Sequence, residues 1–224
     1  MATISSDIGI QSDILDELEF DPEVAVTDVG VEVDDGVVTL TGTVDTYAEK
    51  MAAERAALRV VGVRALANDL VVAPEVAGIL TDTEIARRIA DAFDLDEAIP
   101  EGITARVEDG RVNLHGETPW HYQREEAERV ARRIAGVKSV TNSIRIVHPA
   151  IVSHAVESQI IRALVRNAAV DAQQIAVAID GSHVALSGMV RSWAERQEAA
   201  AAAWRVGGVT EVINRITVRP MLPM

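Results

Sequence analysis

The chain has 224 residues and no cysteine. That absence excludes a disulfide framework, a thiolate metal site and a cysteine nucleophile. The N-terminal stretch Met1-Ala2-Thr3-Ile4-Ser5-Ser6-Asp7-Ile8 has neither the basic n-region nor the continuous apolar h-region of a secretory leader. No apolar run approaches the roughly 20 residues needed to span a bilayer. These absences place the expected site of action in the cytoplasm, or in the periplasm if a leader has already been removed. Catalytic signatures are missing too: there is no G-x-S-x-G elbow, no phosphate-cradling loop and no glycine-rich dinucleotide fingerprint. The five histidines, His115, His121, His148, His154 and His183, show no HExxH or other tight ligand spacing. No catalytic residue, metal ligand or cofactor is therefore nominated, and the expectation is a protein that is not an enzyme.

Basic residues are scarce: 21 Lys and Arg face 35 Asp and Glu, a net charge of −14. The imbalance is local. Residues 1–75 hold four basic and sixteen acidic residues, a net −12, residues 76–149 hold ten and thirteen, a net −3, and residues 150–224 hold seven and six, a net +1. Nucleic acid is a poor partner for such a chain, because affinity for it comes mostly from neutralising phosphates with Lys and Arg. Anionic lipid is disfavoured for the first third on the same grounds. Acidic clusters such as Asp13-Ile-Leu-Asp-Glu17 and Asp34-Asp35 leave two readings, a solvated face that maintains solubility or weak association with K⁺, Ca²⁺ or Mg²⁺.

What the chain does contain is a repeat. Gly36-Val-Val-Thr-Leu-Thr-Gly42, Gly110-Arg-Val-Asn-Leu-His-Gly116 and Ser182-His-Val-Ala-Leu-Ser-Gly188 are three versions of one block. Twenty residues beyond each closing glycine stand Gly62-Val63, Gly136-Val137 and Gly208-Val209, and six further on stand Asn68, Asn142 and Asn214. Before each block, Val29/Val31/Val33, Ile103/Ala105/Val107 and Ile175/Val177/Ile179 alternate with polar or small residues, the period of a half-buried strand. Asp35-Gly36, Asp109-Gly110 and Asp180-Gly181 then provide hairpin turns.

After each block, Ala53/Ala56/Ala57/Val60, Ala127/Val130/Ala131/Ile134 and Ala199/Ala202/Ala203/Val206 form an i, i+3, i+4, i+7 stripe, which predicts a helix packed closely on the sheet. Gly62, Gly136 and Gly208 are placed to end that helix in the left-handed conformation. A closing strand follows, and Pro74, Pro149 and Pro220 terminate the units. Each unit opens with a helical pattern, Ile10/Ile14/Leu18, Ile85/Ile89/Phe93 and Val156/Ile160/Leu164, and Thr81-Asp-Thr-Glu84 reads as a capping box. The predicted class is α+β: three tandem αββαβ units over residues 1–76, 77–149 and 150–224. Each unit is expected to be a mixed three-stranded sheet with two helices packed on one face.

These glycines, the Gly-Val pairs and the Asn-x-hydrophobic-x-hydrophobic endings resemble the BON domain, and the resemblance covers nearly the whole chain. It implies an αββαβ fold, no common catalytic residues, and attachment to phospholipid membranes or envelope components in bacteria under osmotic stress. A multivalent binding protein follows as the leading expectation, because linked weak sites gain avidity. A cation-responsive module and a protein-interaction scaffold are the alternatives.

Nine residues form the structural signature: Gly42, Gly116, Gly188, Gly62, Gly136, Gly208, Asn68, Asn142 and Asn214. The asparagines share parity with the inward residues of the last strand. Their amides are expected to satisfy loop backbone near the repeated glycines. Tyr47, Trp120 and Trp193 lie four to five residues past the closing glycine and read either as packing over the end of the core or as membrane or partner anchors. Trp204 falls about 140° from the alanine stripe, so it is expected to face a neighbouring unit. Ala176, Ala178 and Ala185 replace Thr104, Arg106 and Asn113 on the outer sheet positions of the third unit. That unit is therefore expected to be the one most engaged with another surface, within the chain or in a homo-oligomer, and the acidic first unit to be peripheral. His115 and His183 lie on the outward face of the second strands, where a contact across units is conceivable.

Overall fold

The computed structural model describes residues 7–25, 28–73, 80–147 and 175–219. Each unit has sheet structure of its own, and unit 2 divides its strands between a three-stranded and a two-stranded sheet. Unit 1 comprises α1 (Asp7–Phe20), β1 (Val29–Asp34), β2 (Val37–Val44), α2 (Tyr47–Arg59), β3 (Ala65–Asn68) and β4 (Val71–Val72). Unit 2 repeats it as α3 (Asp82–Asp94), β5 (Thr104–Glu108), β6 (Arg111–His115), β7 (Glu117–Thr118), α4 (His121–Arg132), β8 (Ser139–Asn142) and β9 (Arg145–Ile146). The described part of unit 3 consists of β10 (Ile175–Asp180), β11 (His183–Val190), α5 (Trp193–Trp204) and β12 (Glu211–Val218). The predicted opening helix at Val156/Ile160/Leu164 lies outside the described residues.

In every unit the first two strands form an antiparallel hairpin, and the closing strand returns parallel to the second after the helical crossover. The parallel register is the same three times: Val37 pairs with Ala65, Arg111 with Ser139, and His183 with Glu211. Units 1 and 2 divide the closing strand into two short pieces, whereas β12 runs unbroken. Val38/Leu40, Val112/Leu114 and Val184/Leu186 are buried at equivalent places of the three central strands, facing buried Ala53/Ala56/Ala57, Ala127/Ala131 and Ala199/Ala202/Ala203. In units 1 and 2 the first helix covers the rest of that face with Ile10/Ile14/Leu18 and Ile85/Ile89/Phe93.

The repeated glycines are geometric requirements. Gly42 has φ +119°, and a Cβ there would lie 1.8 Å from the carbonyl oxygen of Asp28. Gly116 is held in the same way against the carbonyl of Gly102, at 2.7 Å. At the other end, Gly62, Gly136 and Gly208 have φ of 107°, 88° and 92°, the left-handed conformation that turns the chain out of a helix.

A second clamp went unread in the sequence. The carboxylate of Asp7, at the start of α1, accepts from the backbone N–H groups of Asp35 and Gly36 in the hairpin turn, and Asp82 of α3 does the same for Asp109 and Gly110. One carboxylate therefore ties the start of the opening helix to the tip of the hairpin. The capping box of α3 forms as expected, with Thr81 and Glu84 bonded reciprocally. Those hydrogen bonds from Thr81 hold the Glu84 carboxyl below its usual range.

Gly42→Ala is expected to destabilise the protein by at least about 1–3 kcal/mol in urea unfolding. Gly102→Ala makes the control, because Gly102 has a similar positive φ but open space around its Cβ position. Equal losses in the two variants would show that the close approach to Asp28 is unimportant.

Candidate binding surfaces and the seams between units

The second helix of each unit begins at the same point of the repeat, with Tyr47, His121 and Trp193. Its N-cap residues are Thr46, Trp120 and Ser192. Thr46 and Ser192 accept from the backbone N–H three residues on, at Glu49 and Glu195, while Trp120 makes no side-chain cap. Glu49 and Glu195 reach back to the N–H groups of Asp45 and Arg191, and Glu49, which is buried, also accepts from Ala25. Trp120 is thus the structural counterpart of Thr46 and Ser192. The counterpart of Tyr47 and Trp193 is His121, a correction to grouping Tyr47, Trp120 and Trp193 by spacing alone.

All three first-turn side chains leave their own unit. Tyr47 of unit 1 packs on the core of unit 2. His121 of unit 2 stacks on Trp204 of unit 3, with ring centroids 4.0 Å apart and planes inclined by 13°. Trp193 of unit 3 packs on the core of unit 1, at whose edge Leu58 occupies the place that Trp204 holds in its own unit. The contacts run from unit 1 to 2, 2 to 3 and 3 to 1 in a single sense. A directional contact that returns to its starting unit is a closed ring.

Trp204 also packs partly on its own core, so it is half-buried between units 2 and 3. The expectation of a peripheral first unit does not hold, because α2 touches both α4 and α5. Its first turn sends Tyr47 onto the core of unit 2, while Asp13, Asp16 and Glu17 line a groove on unit 1 itself. The outer alanines do not mark the third unit's contact either: Ala176 and Ala178 are exposed and Ala185 is only half-buried. Unit 3 meets its neighbours through α5. His115 is exposed, and His183 lies 3.6 Å from Glu211 of its own unit.

The seams differ in chemistry. Between units 1 and 2, Glu23 pairs with Arg55 of its own unit at 2.9 Å and reaches Arg133 of unit 2 at 3.4 Å. This pairing sits at a cleft of about 390 Å³, where Glu125, Glu128, Arg129 and Arg132 add further charge. Four arginines there face three glutamates, and the exposed pairs contribute little. Between units 2 and 3, His121 also lies 3.4 Å from Glu125, and that hydrogen bond holds the Glu125 carboxyl below its usual range. Between units 3 and 1, Arg196 covers the Trp193 ring at 5.2 Å, while the buried Trp193 Nε1–H has no hydrogen-bond partner.

The asparagines satisfy backbone beside the closing glycines, as expected, and bond to the crossover helix as well. Asn68, Asn142 and Asn214 donate to the helix carbonyls of Lys50, Arg124 and Arg196, and accept from the N–H of Leu70, Ile144 and Ile216. Asn68 and Asn142 also donate to Glu54 and Glu128. Each amide therefore straps the closing strand to the fourth residue of the crossover helix, two residues in register from the closing glycine. Alternation along the strand shows that the side chain points inward, but it cannot say which backbone group waits there.

Two polar-tipped aromatic rings stay on the surface. Trp120 is 42% exposed and lies against unit 3, where a Cβ on Gly207 would come 3.8 Å from its Cζ3; Tyr122, on the first turn of α4, is 59% exposed. Among the described residues no group of three or more His, Asp or Glu side chains is gathered to hold a metal ion. No described helix is long and apolar enough to cross a membrane.

The BON domain matches residues 6–74, 81–148 and 153–220. The chain belongs to the BON domain family. This BON protein is 32% identical over 124 residues to osmotically-inducible protein Y of Escherichia coli strain K12, a match spanning 53% of the chain and 62% of that protein. Among solved structures, it is 14% identical to CdsD, a structural protein of the type III secretion system of Chlamydia trachomatis, with a TM-score of 0.28 over 94% of this chain and 92% of that one. The periplasmic domain of PrgH is 11% identical, with a TM-score of 0.22 over 92% and 99% of the two chains. Both TM-scores are too low to establish a shared arrangement of units.

Trp193→Ala is expected to open the seam between units 3 and 1. Because Trp193 is half-buried, the stability loss should stay below the about 3–5 kcal/mol of a fully buried tryptophan truncation. Small-angle scattering should show a larger radius of gyration at unchanged mass, and unaltered scattering would contradict the seam.

Proposed function

We propose that this BON protein is a non-enzymatic, stress-related binding protein whose three linked units present a phospholipid or envelope surface with one composite face. The observation that carries this reading is the exposed pair Trp120 and Tyr122 at the junction of units 2 and 3. Such rings combine an apolar body with a polar tip and settle at the headgroup level of a membrane. The junction belongs to the two units of low net charge, −3 and +1, so it is the part of the molecule that a lipid surface repels least. Similarity to an osmotically-inducible protein supports the stress context.

The seams favour the composite face over three independent sites. Tyr47, Trp193 and Trp204 are taken up between units, so the rings that a single isolated unit would expose are spent on assembly. Binding then depends on the relative placement of the units as well as on each unit's own surface.

Vesicle sedimentation tests the reading. Wild-type protein is expected to cosediment with phosphatidylcholine vesicles, and the double variant Trp120→Ser, Tyr122→Ser to lose most of the bound fraction while keeping its melting transition. Added phosphatidylglycerol should weaken binding at low salt through the net −14 charge and less so as salt screens it. Cosedimentation no greater than that of an unrelated acidic protein would overturn it.

A further inference from the structure

Away from the rings and seams, unit 1 bears an apolar surface of a different kind. Phe20 ends α1 and is 92% exposed, and Val61, just past α2, is 58% exposed. With Val60 they floor a groove of about 410 Å³ whose walls are Asp13, Asp16 and Glu17. We propose that this groove docks a basic, amphipathic segment of a partner protein, with an apolar anchor against Phe20 and Val61 and Lys or Arg side chains against the acidic wall.

The charge placement argues for a cationic occupant. A helix C-terminus already carries the negative end of the backbone dipole, where basic side chains are favourable. The last turn of α1 holds no basic residue and carries Glu17 and Glu19, with Asp21 immediately after. Arg59 answers Glu17 and Asp21, at 2.9 and 3.2 Å, whereas Asp13 and Asp16 have no ion pair among the described residues. Unit 1 as a whole is −12, so an approaching cation is attracted from a distance as well as at contact.

Unit 2 supplies an internal comparison. Leu95 stands where unit 1 has Phe20 and is 86% exposed, so an open apolar side chain after the first helix belongs to both units. Around Leu95, however, Asp91 keeps the place of Asp16 while Arg88 and Ala92 replace Asp13 and Glu17, and Ala135 replaces Val61. The wall of three carboxylates and the second apolar residue are particular to unit 1. An anionic lipid surface would meet repulsion there, and the site lies away from Trp120 and Tyr122, so either reading stands without the other.

The test uses the full chain and three labelled probes in fluorescence anisotropy: an amphipathic leucine-lysine peptide, its leucine-glutamate counterpart, and polylysine. The leucine-lysine peptide is expected to bind best. Phe20→Ser and Val61→Ser should each weaken it on the order of tenfold. The double change Asp13→Asn, Asp16→Asn should weaken it and flatten its dependence on salt. Leu95→Ser should leave it unchanged, and a circular dichroism melt confirms that the variants are folded. Polylysine binding as tightly as the amphipathic peptide, or Phe20→Ser binding like wild type, would overturn the proposal. Loss of a wild-type dimer in Phe20→Ser on sedimentation equilibrium would overturn it too, assigning the groove to a second copy of the chain.

Discussion

The arrangement of this protein depends on one contact made three times, the insertion of the first residue of each crossover helix into the next unit. Tyr47, His121 and Trp193 lie at equivalent points of the repeat and reach units 2, 3 and 1 in turn. A unit of about 70 residues buries only about 60% of the surface its unfolded chain exposes, which leaves it modestly stable alone. Borrowing a large side chain from a neighbour adds apolar burial at small cost, because the donor sits on the rigid first turn of a helix. The three units are thereby held together, although among the described residues no sheet passes from one to another.

Beneath the seams, each unit is set by close backbone approaches and short polar straps. Gly42 and Gly116 let the second strand pass a carbonyl where no side chain fits. The asparagines fasten the closing strand to the crossover helix, and Asp7 and Asp82 fasten the hairpin tip to the opening helix. Because these straps recur at fixed spacing, the surface residues between them are free to vary. That freedom lets unit 1 carry a net −12 while unit 3 carries +1 on the same frame.

The frame was legible in the sequence for physical reasons. Period-two alternation, the alanine stripe and glycines at left-handed positions are local signals, and they reproduced strands, helices and turns in all three units wherever these are described. The seams were only partly legible. The angle of Trp204 from the alanine stripe pointed to a neighbour, but spacing from the closing glycine grouped Trp120 with Tyr47 and Trp193, when the helix start falls one residue later. Charge counting misplaced unit 1, because net charge describes a whole surface and a seam uses only one helical turn of it. Thr46-x-x-Glu49 and Ser192-x-x-Glu195, helix starts with a capping pattern, were the signals that could have set the correct alignment. Phe20 lay within a helix pattern already explained by Ile10, Ile14 and Leu18, and only its solvent exposure singles it out.

The closed ring makes a demand that independent units would not. All three tryptophans, Trp120, Trp193 and Trp204, belong to units 2 and 3, so unit 1 has no tryptophan of its own and its unfolding reaches the emission through the seam contact of Trp193. Leu40→Ala removes a fully buried side chain from the core of unit 1 alone. The decisive measurement is the urea midpoint of tryptophan emission in that variant. The ring predicts a midpoint lowered in step with the circular dichroism transition; an unchanged emission midpoint would show that the three units stand independently.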